Sequence, residues 1–349
     1  MIFGMALRAG VVGASGYAGA ELLRILAAHP DLELVVATAG TQAGAPVRAL
    51  YPSLTPAYPD LVLQPLEPET LDGLDVAFLA LPHGESQRLV PDLLGRVAHV
   101  VDLGADFRLP AATYERWYGE PHTAPELLAR FAFGLPELFR DHLTPDVSVA
   151  APGCYPTAAA LALAPLLARN LAEPTGIVVN AASGVSGRGR ALSAPSLFSE
   201  ANETVSAYSL LTHRHTGEIE HALGEVHGSA VSVLFTPHLV PMTRGLLATC
   251  YARPATPGLT SAALLDTYRA FYADEPFVTV LDDPPTTKAT LGSNSAQVTV
   301  RYDDRTGTIL ALGALDNLVK GAAGQAVQAA NLVLGLPETT ALPILGIMP

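Results

Sequence analysis

Strongly apolar segments alternate with helix-forming segments in the first half of the chain. The pattern predicts a helix at 20–28 and strands at 7–12, 34–37, 76–81 and 99–103. A strand, a glycine turn, a helix and a second strand in this order form a βαβ unit. Strands that are apolar almost throughout are typical of a parallel sheet covered by helices on both faces. We therefore expect an α/β domain with a parallel sheet.

The pattern changes in the second half. Strands are predicted at 176–180, 229–236, 245–252 and 296–302, which favours an α+β domain with a mixed sheet, and a last helix is predicted at 316–334. The small residues of that helix suit packing against the first domain. We therefore assign residues 1–152 and a returning segment, 315–349, to the first domain, and residues 153–314 to the second.

Composition argues against several classes of protein. Acidic residues outnumber basic ones by 33 to 20 and the net charge is −13, so no basic stripe is available for a nucleic-acid backbone. No apolar run reaches the roughly 18 residues of a membrane span, and the N-terminus lacks a signal-peptide pattern. The two cysteines, Cys154 and Cys250, have no C-x-x-C spacing, which argues against a disulfide framework or a zinc ribbon. We expect a cytoplasmic protein that acts on a small molecule.

The first chemical motif is GASGYAG, which sets Gly13, Gly16 and Gly19 between the first strand and the first helix. Glycines let the backbone approach a pyrophosphate, and the helix N-terminus behind them offers free N–H groups and a partial positive charge. The spacing is one residue longer than G-x-G-x-x-G, so an ordinary tight turn stays open as an alternative. We interpret this as a Rossmann-type dinucleotide-binding domain, with Ser15 and Tyr17 as further contacts.

The end of the second strand indicates which dinucleotide binds. An NAD site usually carries an acidic side chain about 20 residues after the glycines, for the ribose 2′-hydroxyl. Here no acidic residue occurs between Glu33 and Asp60, so a 2′-phosphate is not repelled. Thr41 and nearby amides can hydrogen-bond such a phosphate, and Arg48 is a candidate countercharge. The sequence favours NADP.

Cys154 lies in PGCYPTAAALAL, just before a run of helix formers. Pro156 suits the first turn of a helix, so the cysteine is expected at a helix N-terminus, where the dipole and free amides favour a thiolate. A buried cysteine that only fills space is the alternative, because free cysteine is among the most buried residue types. Cys250 lies inside an apolar strand, and we assign it to the core.

A base for the thiol is available in the segment HRHTGEIEHAL. His213 and His215 point the same way in an extended or loop conformation, and Thr216 is expected to cap the helix that follows. Two alternatives stay open here: a solvated polar loop, and a metal pair completed by Glu218 or His221.

Three further loops carry groups that suit a bound ligand. The loop SGVSGRGR, Ser183–Arg190, is a candidate anion cradle, although an ordinary flexible turn would have the same composition. Arg108 follows a strand in DLGADFR and is a candidate anion contact or a surface ion pair. Pro82, His83 and Ser86 follow the strand VAFLAL, where an α/β sheet binds its cofactor.

These motifs together resemble one family of enzymes. GASGYAG, LALPHG, DLGADFR, PGCYPTA, SGVSGRGR, HRHTGEI, FTPHLVPMTRG and ALDNLVKGAAGQAVQAANL occur in this order along nearly the whole chain. Each motif is weak alone, but the ordered set is similar to the N-acetyl-gamma-glutamyl-phosphate reductases of arginine biosynthesis. A more distant resemblance extends to the aspartate-semialdehyde dehydrogenases, which share the two-domain architecture and the cysteine.

The resemblance implies a reaction and a set of site residues. It implies NADPH-dependent reduction of N-acetyl-glutamyl 5-phosphate to the 5-semialdehyde through a thioester on Cys154, with His215 as the acid and base. It also implies a homodimer or homotetramer, a second domain that serves both catalysis and dimerisation, and no metal. The implied substrate contacts are Arg108, Ser183, Arg188, His213 and Arg214, and the implied cofactor contacts, besides the glycine turn and Thr41, are Pro82, His83, Ser86, Gly184, Ser186, Gly187 and Asn317.

One departure and two alternatives affect these expectations. Relatives often carry alanine after the SGxSG motif, where this chain has Arg188, an additional anion contact or a surface side chain. Reductases of aminoadipyl or aspartyl phosphates are alternative members of the superfamily. A carrier-bound aminoadipyl substrate is less favoured, because an acidic carrier needs a basic docking surface. A non-enzymatic NADP-binding redox sensor that uses Cys154 is an alternative of a different class.

Overall fold

The computed structural model describes residues 6–348 and contains two compact units. The first unit comprises residues 6–115, 120–152 and 322–342, and the second comprises 116–119, 153–321 and 343–348. The division at residues 152 and 153 coincides with the boundary expected from the sequence. The expected returning segment, 315–349, is itself divided, because only its central part, 322–342, belongs to the first unit.

Thirteen strands occur among the described residues. They are β1 (Leu7–Val12), β2 (Leu32–Thr38), β3 (Leu74–Leu79), β4 (Val97–Asp102), β5 (Phe131–Phe133), β6 (Ser148–Ala150), β7 (Ile177–Gly184), β8 (Ser206–Ala207), β9 (Val233–Val240), β10 (Leu246–Ala252), β11 (Val278–Val280), β12 (Ala296–Asp303) and β13 (Thr308–Leu315). Every strand predicted from the sequence overlaps one of these strands.

Ten α-helices occur in the same part of the chain. They are α1 (Tyr17–Leu26), α2 (Val47–Leu50), α3 (Ser86–Leu93), α4 (Ala111–Tyr118), α5 (Pro136–Phe139), α6 (Cys154–Ala168), α7 (Phe198–Ala201), α8 (His215–His227), α9 (Ser261–Phe271) and α10 (Gly324–Val333). The long helix predicted at 316–334 is wrong in its first part, because residues 319–323 form a π-helical turn and α10 begins only at Gly324. No described helix is both long enough and apolar enough to cross a bilayer.

The first unit contains a six-stranded sheet in the order β2-β1-β3-β4-β6-β5, and all of its pairs are parallel. The carboxyl ends of parallel strands meet at one edge of the sheet, which is where α/β proteins bind ligands. Within this unit α10 contacts α1, and the Asn331 side chain lies 3.0 Å from His29 Nε2. The expected parallel-sheet domain is confirmed.

The second unit contains a mixed, seven-stranded sheet in the order β11-β12-β13-β10-β7-β9-β8. Helix α6, which begins at Cys154, packs on β10, β12 and β13 and is buried along almost its whole length. Pro165 lies inside this helix and lacks the N–H that would bind the Leu161 carbonyl. The Tyr272 hydroxyl donates to that carbonyl at 2.6 Å instead, which keeps the interrupted helix in place. The expected mixed-sheet domain is confirmed.

Candidate active site

Cys154 is the first residue of α6, and Gly153 is the residue before the helix, with an extended backbone. The cysteine is partly exposed, whereas Cys250 is fully buried. Burial raises the pKa of the Cys250 thiol to about 12, so that thiol is unsuited to act as a nucleophile. The helix-start position predicted for Cys154 from Pro156 is the observed one, and it supplies the free amides and the partial positive charge that favour a thiolate.

His215 begins α8 and lies against the residue that precedes the cysteine. A Cβ atom added to Gly153 would lie 2.5 Å from Nε2 of the His215 imidazole and 2.7 Å from its Cε1. The ring of Tyr155, the residue after the cysteine, lies 5.8 Å from the His215 ring. The imidazole therefore lies against the backbone of the residue before Cys154 and near the ring of the residue after it.

His213 lies in a different environment from His215. Its Nδ1 accepts the backbone N–H of His215 at 3.2 Å, so the proton of the neutral ring is on Nε2. Burial, and next the neighbouring His215, lower the pKa of His213 to about 3. The ring is therefore neutral at physiological pH and supports the first turn of α8. Because its Nδ1 is committed to an N–H, the geometry does not favour the metal pair considered above.

The expected helix cap at Thr216 is wrong. Helix α8 begins one residue earlier, at His215, so Thr216 lies inside the first turn. Its hydroxyl donates to the His213 carbonyl at 2.8 Å instead of accepting an amide from the helix. Arg214, the residue between the two histidines, is exposed, and its guanidinium lies over the ring of Tyr118 at 5.1 Å.

Sequence reasoning missed Glu218 as a site residue, having considered it only as a metal ligand. Its side chain is fully buried one turn after His215. One carboxylate oxygen accepts the Gly153 N–H at 3.1 Å, and the other lies 3.8 Å from Nε2 of His215. An acidic residue three positions after a candidate catalytic histidine on one helix was the available signal, because residues three apart share a helix face.

Aromatic side chains surround the histidines. The Tyr208 hydroxyl donates to the Tyr155 hydroxyl at 3.1 Å, and Tyr155 donates to the His238 carbonyl at 3.2 Å. Burial raises the pKa of Tyr208 to about 12, so both groups stay protonated near neutrality. Arg188, which departs from the family pattern, is exposed and lies over the Tyr208 ring at 5.6 Å.

The loop Ser183–Arg190 is anchored by its own backbone. The amides of Gly184, Val185 and Ser186 donate to carbonyls of residues 245, 242 and 243, so these three N–H groups are not available to an anion. The Gly189 amide donates to the Ser186 carbonyl in the same way. The groups of the expected anion cradle that lie outside these backbone hydrogen bonds are the Gly187 amide and the two arginines.

Asn317 joins this loop to the turn before β10. Its Nδ2 donates to Ser186 Oγ at 2.9 Å, and its Oδ1 accepts the Gly245 N–H at 2.8 Å. A Cβ atom on Gly187 would lie 3.0 Å from Ser183 Oγ. The structure thus brings the predicted residues Ser183, Ser186 and Asn317 together within the second unit.

The π-helical turn at 319–323 also borders the cysteine. A Cβ atom on Gly321 would lie 2.6 Å from the Cβ of Cys154 and 3.2 Å from Leu315. The Gly321 amide donates to the Asp316 carbonyl, five residues earlier, as a π turn requires. Such turns are frequent at functional sites, and here the turn brings a residue without a side chain against Cys154.

The glycine turn of the first unit has the geometry of a dinucleotide site. Gly13 has φ of +82° and lies against the Ala80 carbonyl, and a Cβ atom on Gly19 would collide with the Gly13 carbonyl. A Cβ atom on Gly16, which precedes α1, would meet only the Gly13 carbonyl, at 3.5 Å. The first and third glycines thus serve the tight turn and the helix packing, while the second is open to a ligand. Tyr17 is the first residue of α1, and the Ser15 carbonyl accepts the Tyr51 hydroxyl at 2.8 Å.

The region after β2 bears on the choice of cofactor. Thr41 is exposed in a turn, and a Cβ atom on the neighbouring Gly40 would meet nothing within 4 Å. Arg48 lies on α2, where its guanidinium donates to the Pro59 carbonyl and lies 3.7 Å from Asp60. Arg48 is thus already engaged, which weakens it as a countercharge for a 2′-phosphate.

A buried polar cluster lies at the carboxyl ends of β3 and β4. Ser86 Oγ donates to Asp102 at 2.7 Å, and Asp106 lies 3.1 Å from His83 Nδ1. Burial raises the pKa of Asp102 to about 7. Arg108 is almost buried and donates to the Leu103 carbonyl at 2.7 Å.

Two of the three side chains predicted to contact the cofactor, those of His83 and Ser86, belong to this buried cluster. His83 Nε2 lies 3.3 Å from Glu120, in addition to its contact with Asp106, and Ser86 is fully buried. Pro82 is exposed at the start of the loop. Of the three predicted contacts, Pro82 is thus the most accessible to a ligand.

Two family models match the chain. The model described as "Semialdehyde dehydrogenase, NAD binding domain" matches residues 8–145, and that described as "Semialdehyde dehydrogenase, dimerisation domain" matches residues 154–317. Solved structures agree on the fold.

Aspartate semialdehyde dehydrogenase II from Vibrio cholerae, complexed with ASA, superposes with a TM-score of 0.72 at 16% identity, covering 95% of this chain and 99% of that one. The enzyme from Candida albicans, solved with NADP, gives 0.68 at 15% identity, covering 94% and 98%. The fold and the two matched domains define a semialdehyde dehydrogenase.

Curated relatives narrow this class. An N-acetyl-gamma-glutamyl-phosphate reductase from Symbiobacterium thermophilum is 49% identical over 342 residues, which are 97% of this chain and 98% of that protein. The reductase of Desulforudis audaxviator is 49% identical over 98% of this chain and its own full length, and that of Moorella thermoacetica is 46% identical with the same coverage. The chain belongs to the N-acetyl-gamma-glutamyl-phosphate reductase family.

Proposed function

We propose that the protein catalyses NADPH-dependent reductive dephosphorylation of N-acetyl-L-glutamyl 5-phosphate to N-acetyl-L-glutamate 5-semialdehyde. The observation that carries the proposal is Cys154 at the start of α6, with the His215 imidazole against the preceding Gly153. A partly exposed thiol at a helix N-terminus, beside a titratable imidazole, suits nucleophilic attack on an acyl group. The family and the names of its curated relatives supply the substrate.

The chain's own residues account for the chemical steps. His215 takes the proton of the Cys154 thiol, and the thiolate attacks the acyl carbon. The C–O bond to phosphate breaks, which leaves a thioester. Reduction of that carbon would leave a thiohemiacetal oxyanion on Cys154. Its C–S bond breaks to give the aldehyde and the Cys154 thiolate, and the His215 imidazolium returns the proton to that thiolate. General acid–base catalysis of this kind contributes about 10²–10⁴-fold in rate.

The glycine turn is the proposed cofactor site. Gly16 is open, and α1 begins directly behind it, so its first amides and its dipole suit a pyrophosphate. When bound, the nicotinamide supplies a hydride to the acyl carbon of the thioester. Thr41 and the open Gly40 support NADP over NAD, because no carboxylate follows β2 to repel a 2′-phosphate.

The cofactor proposal is tested by the dissociation constants of NADPH and NADH. NADPH is expected to bind about tenfold or more tightly, and Thr41→Asp is expected to reverse much of that difference, because a carboxylate repels the 2′-phosphate. Thr55→Asp, in a partly exposed turn of the first unit, is the control. Equal binding of the two cofactors by the unaltered protein would contradict the proposal.

The reaction is tested in the reverse direction. N-acetyl-glutamate semialdehyde, NADP and phosphate are expected to give NADPH at a rate that depends on phosphate. Cys154→Ser is expected to abolish the activity and Cys250→Ala to retain it, because Cys250 is buried in the core. Activity that ignores phosphate or survives Cys154→Ser would contradict the acyl-enzyme mechanism. Faster turnover of aspartate or aminoadipate semialdehyde would redirect the substrate assignment.

We also propose that the second unit's sheet mediates assembly with a second copy of the chain. Leu234, Val178 and Tyr251 form a row across β9, β7 and β10, on the face opposite the core. Leu234 and Tyr251 are exposed, and the matching family model is described as a dimerisation domain. Sedimentation should give a dimer or tetramer, and Leu234→Lys should dissociate it. A monomer at all concentrations would contradict this.

A further inference from the structure

Glu218 is a buried carboxylate that contacts both elements of the proposed catalytic pair. Its side chain is 0% exposed. A charge removed from water is costly unless it is paired and hydrogen-bonded. Here the carboxylate accepts the Gly153 N–H and lies 3.8 Å from the His215 imidazole. The carboxylate therefore has a specific place between two elements of the site.

These contacts fix the spacing of two helices. Gly153 immediately precedes Cys154 at the start of α6, and His215 lies on α8 one turn before Glu218. The carboxylate thus ties the backbone that carries the nucleophile to the helix that carries the acid and base. A distance of 3.8 Å is too long for a hydrogen bond, so the link to His215 is a charge contact.

The charge contact favours the protonated imidazole. Opposite charges within about 4–6 Å stabilise each other's ionised forms. Burial lowers the pKa of both other imidazoles near Glu218, His213 and His221, so Glu218 acts chiefly on His215. The titratable and charged groups that face this pair from the packed elements of the second unit are Cys154 and Tyr155 on α6, Tyr208 before α8, and His213, Arg214 and His221 around the start of α8.

We propose that Glu218 is a positioning residue that holds His215 beside the Cys154 turn and stabilises its imidazolium, and thereby the thiolate. Transfer of the thiol proton to the imidazole leaves a thiolate and an imidazolium, so atoms and charge balance without a further reactant. The inference rests on the proposed function for the identity of the nucleophile. Its test needs neither acyl phosphate nor cofactor.

The test is the rate of Cys154 alkylation by iodoacetamide as a function of pH. Cys250 is fully buried, and Cys154→Ser gives the background. The unaltered protein is expected to react well below the ordinary titration range of cysteine, near 8.5. Glu218→Gln keeps an oxygen for the Gly153 N–H but removes the charge. Its rate at pH 7 is expected to be on the order of tenfold lower, with the profile moved to higher pH, because one pKa unit corresponds to a tenfold change.

A control variant and a double variant separate charge from structure. Glu225→Gln removes an exposed carboxylate from the same helix and is expected to leave the profile unchanged. If Glu218 acts through His215, Glu218→Gln is expected to have no further effect in a His215→Gln background. Full additivity of the two substitutions would overturn the proposal, as would superimposable profiles of Glu218→Gln and the unaltered protein.

A variant that keeps the charge provides a second test in case Glu218→Gln folds poorly. Glu218→Asp retains the carboxylate with a shorter reach and is expected to keep reactivity at low pH while lowering kcat. Alkylation of the Asp variant only near the ordinary range of cysteine would overturn the proposal. Failure of the semialdehyde assay in the unaltered protein, with the alkylation results as expected, would refute the proposed reaction and leave this inference standing.

Discussion

Gly153→Ala is the sharpest single test of the proposed active site. The backbone of Gly153 has φ of −71° and ψ of 160°, which alanine adopts without strain. The amide that binds Glu218 is retained. The substitution therefore adds one methyl group, and that methyl would lie 2.5 Å from His215 Nε2.

The magnitude follows from this distance. Ordinary contact begins near 3.4 Å, so the imidazole or the turn must move by about 1 Å. A misplacement of about 1 Å of a catalytic group costs roughly 10²-fold in rate, or about 2.7 kcal/mol of transition-state stabilisation. Crowding of a packed site costs about 1–3 kcal/mol of stability as well. We expect kcat to fall about 10²-fold, with a smaller change in KM.

The assay is the phosphate-dependent formation of NADPH from the semialdehyde, together with a thermal unfolding curve. Gly224→Ala is the control, because Gly224 lies on the same helix as His215 and its added methyl would have only an ordinary contact, 3.5 Å from the Ser229 carbonyl. That variant should gain about 0.5–1 kcal/mol of stability and keep its activity. A folded Gly153→Ala protein with kcat within about twofold of the unaltered enzyme would refute the reasoning, because a loss of transition-state contacts must appear in kcat.

Three further predictions concern stability. Gly217→Ala should lower the free energy of unfolding by about 1–3 kcal/mol, because the added methyl would collide with the Trp117 indole; an unchanged Tm would contradict this packing. Tyr272→Phe should cost about 1–3 kcal/mol in denaturant titrations by leaving the Leu161 carbonyl without its hydroxyl donor, and a cost near zero would mean that another donor replaces it. The pKa of Asp102 is about 7 in the folded protein and 3.8 ordinarily, so the folded state favours the protonated carboxyl. The stability that this carboxyl contributes should therefore be lost as the pH rises from about 4 to about 7. Asp102→Asn should remove this pH dependence, and parallel pH–stability curves of the two proteins would contradict the assignment.

The sequence predicted local structure correctly where one short segment contains all the residues that determine it. The glycine turn is such a case, since strand, turn and helix follow one another from Leu7 to Leu26. Cys154 is another, because Pro156 marks the helix start two residues later. Local rules for turns and helix N-termini are enough for both.

The features that the sequence did not predict, Glu218 in the site and the true start of α8, depend on the packing of segments that are far apart in the sequence. Glu218 binds the Gly153 amide across 65 residues of sequence, and the register of α8 against α6 that allows this is set by packing. Thr216 was misassigned for a related reason. The half-buried His213 accepts the backbone N–H groups of His215 and Thr216 at the start of α8. The helix therefore begins one residue before Thr216, the residue that cap preferences favour.

Limited space, more than backbone conformation, explains the glycines that border Cys154. Gly13 needs a positive φ as well as room, but Gly153 has an ordinary extended backbone and is confined only by the His215 ring. Gly321 is confined in the same way by the Cys154 side chain itself. Cys154 thus lies between two glycines at which a methyl group would collide with His215 in one case and with Cys154 itself in the other. Because alanine would fit the backbone dihedrals of Gly153, its cost there should appear mainly as lost catalysis, whereas alanine at Gly13 should cost stability through strain at positive φ.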